Sequence, residues 1–349
     1  MKYCFDEKYW TDCFKTLVAT PSPVGFYQKL KPVLEEMAMP YGQMTYDNKH
    51  TAYLTLEGEE NSKSVMIAAH ADTLGMMVRH IDSNGMIRVS CLGGVHLGNT
   101  ESKTVTVHTR DGGEYTGMLI CQSHSTHVFG DARSLERSDK TMYVLLDEVV
   151  KTAEDVKALG IENGCYISID PNCEITPNGY IKSRYVDNKA SIACVFAVLK
   201  YMKDHGLKPK YTTVFSFSYG EEVGNGSNFV PQGISEVIAV DMALTGPELA
   251  GDERKVSIIT RDLYAAFSYE LVNSLIDKAK KAECAYVTDV YAGAGNGAGT
   301  DAGNALKNGN DVKVAGFGMG VYNSHSRERT HMDGILNTAG LLLAYILDI

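Results

Sequence analysis

Apolar runs rich in Val, Ile and Phe recur along this chain with helically spaced stretches between them, and no other feature restricts the fold as much. "YTTVFSFSY" (211–219) and "EVIAVDMAL" (236–244) read as buried parallel strands, since they lack the polar alternation of a half-exposed strand. "TAYLTLEG" (51–58) predicts a strand, and "SVMIAAHADTLGMMV" (64–78) a short buried one interrupted by polar residues. Helical spacing covers 8–20 and 26–38, on either side of the turn "TPSPVG". It returns in "DNKASIACVFAVLKYMKDHG", an amphipathic pattern with Gly206 as a natural C-cap, and in 271–282 and 334–349. Strands alternating with helices predict an α/β fold, a doubly wound mixed sheet.

From about 79 to 168 the texture changes. "GMIRVSCLGG", "KTVTVHTRDGGEYTGMLICQS" and "GCYISID" are short alternating strands with glycine turns, broken by one helical piece, "TAEDVKALG". That pattern predicts a small β-barrel inserted into the α/β domain. The expected boundaries are 1–78 with 169–349 for the α/β domain and 79–168 for the insertion.

Composition excludes several functions. Net charge is −10 with no basic run, which argues against nucleic-acid binding. No apolar run approaches the roughly 20 residues that span a bilayer, so no membrane partner is expected. "MKYCFDEKYW" has no apolar core of signal-peptide length, and the eight cysteines are scattered without a CxxC pair. A reducing cytoplasm is the expected location. The glycine-dense "AGAGNGAGTDAG" lacks GxGxxG spacing and a strand immediately before it, so no dinucleotide site is expected. No GxSxG elbow is present either.

Acidic and histidine residues gather just after the buried strands. "VMIAAHAD" ends in His70 and Asp72, "FSFSYGEE" in Glu221 and Glu222, and "VIAVD" in Asp241. Asp187 opens the long helical stretch, where it also fits an N-cap, and "GVYNSHSRERTH" offers His325 and His331 after an apolar run. In an open α/β sheet, ligands bind at the carboxyl ends of the strands. Carboxylates crowded at one rim need compensation, and divalent cations are the usual source. Imidazole with carboxylate and no cysteine suits zinc, cobalt or manganese. The set is too large for one tetrahedral ion that keeps an open position, and it suits two ions about 3.5–4 Å apart.

Taken together and in order, "TPSPVG", "HAD", "GMIRVSCLGG", "SRYVDNKAS", "GEEVGNGS" and "VDMAL" resemble the di-metal aminopeptidases of metallopeptidase family 42, the tetrahedral or glutamyl aminopeptidase group. The resemblance runs over nearly the whole chain. It implies two divalent metal ions per subunit, with His70 and Asp241 on one, Glu222 and His325 on the other, and Asp187 bridging. His325 is preferred to His331 because it sits closer to the strand end. Glu221 would be the general base for a metal-bridged hydroxide, and Asp72 would orient His70. The implied substrates are short peptides cut at their N-termini. The β-rich insertion would be a dimerisation domain in a homo-oligomer, from dimer to dodecamer. The alternative on the same two-metal site is a deacylase or carboxypeptidase-like hydrolase of acylated amino acids or dipeptides. It would need a cation to grip a free carboxylate, for which Arg327 and Arg329 are candidates.

Overall fold

The computed structural model describes residues 2–293 and 296–349. Two compact units emerge: one runs up to Asp72 and resumes at Asn172, and the other is Thr73–Pro171. The first opens with helices α1 (Glu7–Ala19) and α2 (Leu30–Ala38), then strands β1 (Met44–Tyr46), β2 (Ala52–Leu56) and β3 (Glu60–Ala68). Asp6 caps α1 by accepting from the Tyr9 amide.

The second unit contains β4 (Gly75–Ile81), β5 (Ile87–Leu92), β6 (Thr104–His108), β7 (Glu114–Cys121), β8 (Met142–Leu146), α3 (Ala153–Ala158) and β9 (Tyr166–Ile169). Its strands close into a barrel in the order β4-β5-β8-β7-β6-β9. Alternate residues fill the interior: Ile87 and Val89, Val105 and Val107, Met142 and Val144, Ile167 and Ile169 are all buried. This is the period of two that the sequence carries.

The first unit then resumes with β10 (Glu174–Ile175), β11 (Tyr180–Ser183), α4 (Val186–Asp204), β12 (Tyr211–Phe217), β13 (Ile234–Val240), β14 (Ala243–Leu244), β15 (Val256–Arg261), α5 (Tyr269–Lys281) and β16 (Tyr286–Val290). Next come β17 (Ala292–Gly293), β18 (Asn296–Gly297), α6 (Asp301–Lys307), β19 (Lys313–Val321), β20 (Glu328–His331) and α7 (Met332–Leu347). The main sheet is ordered β1-β2-β12-β3-β13-β19-β15-β16, with β14 beside β19. Four central neighbours, β12, β3, β13 and β19, are mutually parallel. Antiparallel partners flank them, β2 against β12 and β15 against β19. The α/β class with a mixed sheet and a β-barrel agrees with the sequence reading.

Three details differ from it. The run 236–244 is not one strand: it breaks at Asp241, where the backbone leaves β13 and re-pairs with β19 as β14. Helix α4 is not amphipathic over most of its length. Every residue from Val186 to Leu199 is buried, because α1 and α7 both pack on it, and only its last turn reaches solvent. Finally, β16 directly precedes the glycine-dense segment, contrary to the expectation of no strand there. Ala294 and Gly295 of that segment lie outside the described residues. Around them β17 and β18 pair as a short antiparallel ribbon, not as a strand-to-helix turn that cradles phosphate.

Candidate metal centre

The four parallel strands deliver the site from their carboxyl ends. His70 and Asp72 follow β3, Glu221 and Glu222 follow β12, Asp241 follows β13, and His325 follows β19. Asp187 arrives from the first turn of α4, where Asp187 and Asn188 depart from helical geometry. Close backbone approach makes the Asp241 corner possible: a Cβ on Gly318 of β19 would fall on the Asp241 carbonyl.

These side chains converge. Asp187 Oδ1 lies 3.0 Å from His70 Nε2, and Asp187 Oδ2 lies 3.5 Å from His325 Nε2. Glu222 Oε2 is 3.4 Å from His325 Nε2, while Asp241 Oδ1 and Glu221 Oε2 are 3.9 and 3.8 Å from His70 Nε2. One ligand atom each from His70, Asp187 and Glu222 falls within 4.8 Å of the other two. Asp72 sits behind, fully buried, and its two carboxylate oxygens accept the Glu221 and Glu222 amides at 3.1 Å each. It thereby fixes the backbone turn that sends two adjacent glutamates in different directions.

Histidine tautomers can be read from their partners. His70 Nδ1 lies 3.1 Å from the Asp72 carbonyl oxygen, with the Asp72 carboxylate at 3.5 Å. A carbonyl only accepts, so Nδ1 is the donor, and the neutral ring directs its Nε2 lone pair at Asp187. Two acceptors facing each other at 3.0 Å require a proton or a metal cation between them. His331 is engaged elsewhere: Nε2 donates to the Asn178 carbonyl at 2.9 Å and Nδ1 accepts the Asp333 amide, capping α7.

The electrostatics point the same way. Burial lifts Glu222 to about 8 and Asp241 to about 7, and the neighbouring Asp187 charge adds to both. Burial also raises Glu221, with Asp241 and Asp301 contributing. Burial opposes charge on His325, but its bond to Asp187 and the charge of Glu222 outweigh that and bring it to about 10. Burial would raise Asp187 too, yet its contacts with His325 and His70 hold it below the ordinary carboxylate range. Four carboxylates, Asp187 and Asp241 buried and Glu221 and Glu222 half-buried, thus share two imidazoles, and no lysine or arginine pairs with them among the described residues. The donor set, two imidazoles with three or four carboxylates and no thiolate, fits hard-to-borderline divalent ions.

The cavity in front of the cluster has a volume of about 500 Å³ and is open to solvent. Asp187, Glu221, Glu222, Asp241 and His325 form its floor, while Met242, Leu244, Tyr264, Tyr291 and Lys307 lie around it.

The model of the M42 glutamyl aminopeptidase family matches residues 51–341. The chain belongs to this family. M42 peptidases are metal-dependent aminopeptidases, hydrolases by class. Among relatives, the "Putative aminopeptidase YhfE" of Bacillus subtilis (strain 168) is 35% identical over 337 residues, covering 96% of each chain. Two solved structures share the fold. A TET aminopeptidase from the marine sediment archaeon Thaumarchaeota archaeon SCGC AB-539-E09 superposes with a TM-score of 0.86 at 18% identity, covering 98% of this chain and 97% of that one. The TET1 peptidase of Pyrococcus horikoshii gives 0.85 at 19% identity, with 97% and 100% covered, and is described as assembling into a tetrahedron or a large octahedral shell.

Sequence reasoning missed several residues around the M42 centre. Glu328, 2% exposed, accepts the backbone amides of Asp187 at 3.1 Å and His325 at 3.2 Å. Strand alternation in "RERT" was the available signal, since Glu328 and Thr330 point inward while Arg329 points out. Asp301 is buried beside Glu221, and burial raises it to about 6. It was hidden in the glycine-dense tract. Lys189 is fully buried and donates to Ser22 Oγ at 2.6 Å. Arg327 and Arg329 stand away from the cavity lining. Arg327 bonds the Asn172 carbonyl and Glu174, and Arg329 bonds both Glu253 oxygens at 3.1 Å.

Proposed function

We propose that the chain removes N-terminal residues from short peptides at a centre for two divalent ions, zinc, cobalt or manganese. His70, Asp187, Glu222, Asp241 and His325 are the ligands, with Asp187 shared between the ions. The convergence of these five side chains, from four strand ends and one helix, with four of them on the floor of an open cavity and His70 buried behind, carries the reading. Bound there, divalent ions supply Lewis acidity toward the scissile carbonyl and toward water.

The protein's own residues do the rest. Glu221 stands next to the ligands without being one. Its raised affinity for protons suits it to take a proton from the attacking water and hand it to the leaving amine. Asp72 acts through others: it anchors the Glu221 and Glu222 amides and, with its carbonyl, leaves His70 Nε2 bare for metal. In this reading the barrel unit is the dimerisation module of a homo-oligomer, and the protein works in the cytoplasm. The P. horikoshii assembly and the free state of all eight cysteines support those two points. The deacylase or carboxypeptidase alternative loses its carboxylate-gripping arginines, since Arg327 and Arg329 are paired elsewhere.

The deciding experiment is Glu221→Gln in protein reloaded with each metal. Metal content should match the wild type while turnover of aminoacyl substrates drops about 100-fold or more. Parallel loss of metal and activity would mean that Glu221 is a ligand and that its role has been exchanged with that of Glu222.

A further inference from the structure

Among the described residues, Lys307 is the single lysine or arginine lining the cavity in front of the proposed metal centre. The other side chains there offer carboxylates, the His325 imidazole, the Thr300 and Ser324 hydroxyls, aromatic rings and apolar surface. Lys307 ends α6 and is exposed. Among the described residues no carboxylate lies within ion-pair distance of its ammonium, in a chain whose acidic residues outnumber its basic ones by ten. Its ammonium instead rests 4.3 Å from the centroid of the Tyr264 ring. A cation held on an aromatic face keeps its donors available to an incoming anion.

The support under this lysine is built, not loose. Asp262 is completely buried, and its carboxylate accepts the Tyr264 and Ala265 amides at 2.8 Å each. The same carboxylate accepts the Thr300 amide and hydroxyl at 3.0 Å each, so it clamps the Tyr264 loop to the start of α6. Gly299 lacks a side chain where any Cβ would strike the Tyr264 ring, and the Tyr264 hydroxyl reaches toward Gly224, two residues beyond Glu222. One buried aspartate thus sets both the ring and the helix that carries the ammonium, and places them on the same cavity as the proposed base.

We propose that Lys307, seated on Tyr264, binds a carboxylate of the peptide substrate and is a specificity-determining residue. This rests on the aminopeptidase reading and deepens it. Two parts of a short peptide carry that group: an acidic N-terminal side chain and the free C-terminus. The shared chemistry is a carboxylate that accepts from the ammonium while the scissile bond lies over the carboxylate floor.

The test uses the metal-loaded full chain and three peptides: Leu-Gly-Gly-amide without a carboxylate, Glu-Gly-Gly-amide with one on the side chain, and Leu-Gly-Gly with one at the C-terminus. The wild type should prefer one carboxylate-bearing peptide over Leu-Gly-Gly-amide, and which one it prefers identifies the source. In Lys307→Met that preference in kcat/KM should fall about tenfold or more, mainly through KM, and in Lys307→Glu it should reverse. Lys307→Arg should restore part of it. Both carboxylate preferences standing unchanged in Lys307→Met and Lys307→Glu would overturn the proposal and leave the aminopeptidase reading intact. No cleavage of any of the three by the wild type would sink both.

Discussion

Glu328 illustrates how much of a metal site lies behind its ligands. It touches no ion-facing atom, yet its two oxygens hold the backbone amides of Asp187 and His325, the residues proposed to bridge and to close the centre. Removing such support typically weakens metal binding by 10–100-fold. Glu328→Ala should therefore bind zinc about 10–100-fold more weakly than the wild type, measured by competition with a chromophoric chelator. Arg329→Ala, one residue away and pointing outward onto Glu253, should leave affinity unaltered. Equal effects of the two substitutions would remove Glu328 from the site's framework.

At the scale of elements, the start of α4 is tied to the loop after β3 through a short polar chain. Lys189 donates to Ser22 Oγ at 2.6 Å, and Ser22 donates onward to the Ala71 carbonyl at 2.7 Å, next to Asp72. Burial lowers Lys189 to about 7 despite the favourable charge of Asp72. Ser22→Ala leaves a buried amine without that partner and should cost about 1–3 kcal/mol in denaturant unfolding. Adding Lys189→Met should recover most of the loss, because an apolar pair of similar volume replaces a polar one. A double variant no more stable than Ser22→Ala would show that the chain of bonds is not what joins the two elements. Elements of this kind were unevenly legible in the sequence. The strand runs ending at His70, Glu222 and Asp241 could be read directly, because apolar residues followed by acid or histidine are a local signal. The burial of α4 could not, since it depends on α1 and α7 arriving from opposite ends of the chain. Asp301 and Lys307 stayed hidden for the same reason: what matters about them is the neighbour that the fold supplies, Glu221 for one and Tyr264 for the other.

For the whole molecule, the carboxylate cluster links metal, pH and stability. Glu222 and Asp241, ordinarily near 4.5 and 3.8, are raised to about 8 and about 7 in the folded metal-free chain. A group raised on folding stabilises the fold fully below its unfolded value, and that contribution is lost as pH climbs through the folded one. His70 and His325, also raised, act in the same direction. Asp187, held low, acts oppositely, and only as acid approaches its ordinary 3.8. Chelated protein should therefore melt at falling temperature between about pH 5 and 8. Ligation releases those protons, so the gain in melting temperature on adding zinc should widen over the same interval. Calorimetry with and without chelator measures both, and a gain that narrows as pH rises would contradict the cluster's assigned charge.

Strand β19 lies between β13 and β15 in the main sheet although it follows both, and β16, in the sequence, and the loop after it carries His325. Until that strand inserts, β15 and β16 are cut off from β1, β2, β12, β3 and β13, and Asp187 and Glu222 lack the imidazole proposed to close the site. Seating of β19 is therefore the folding step on which completion of the proposed ion berth depends.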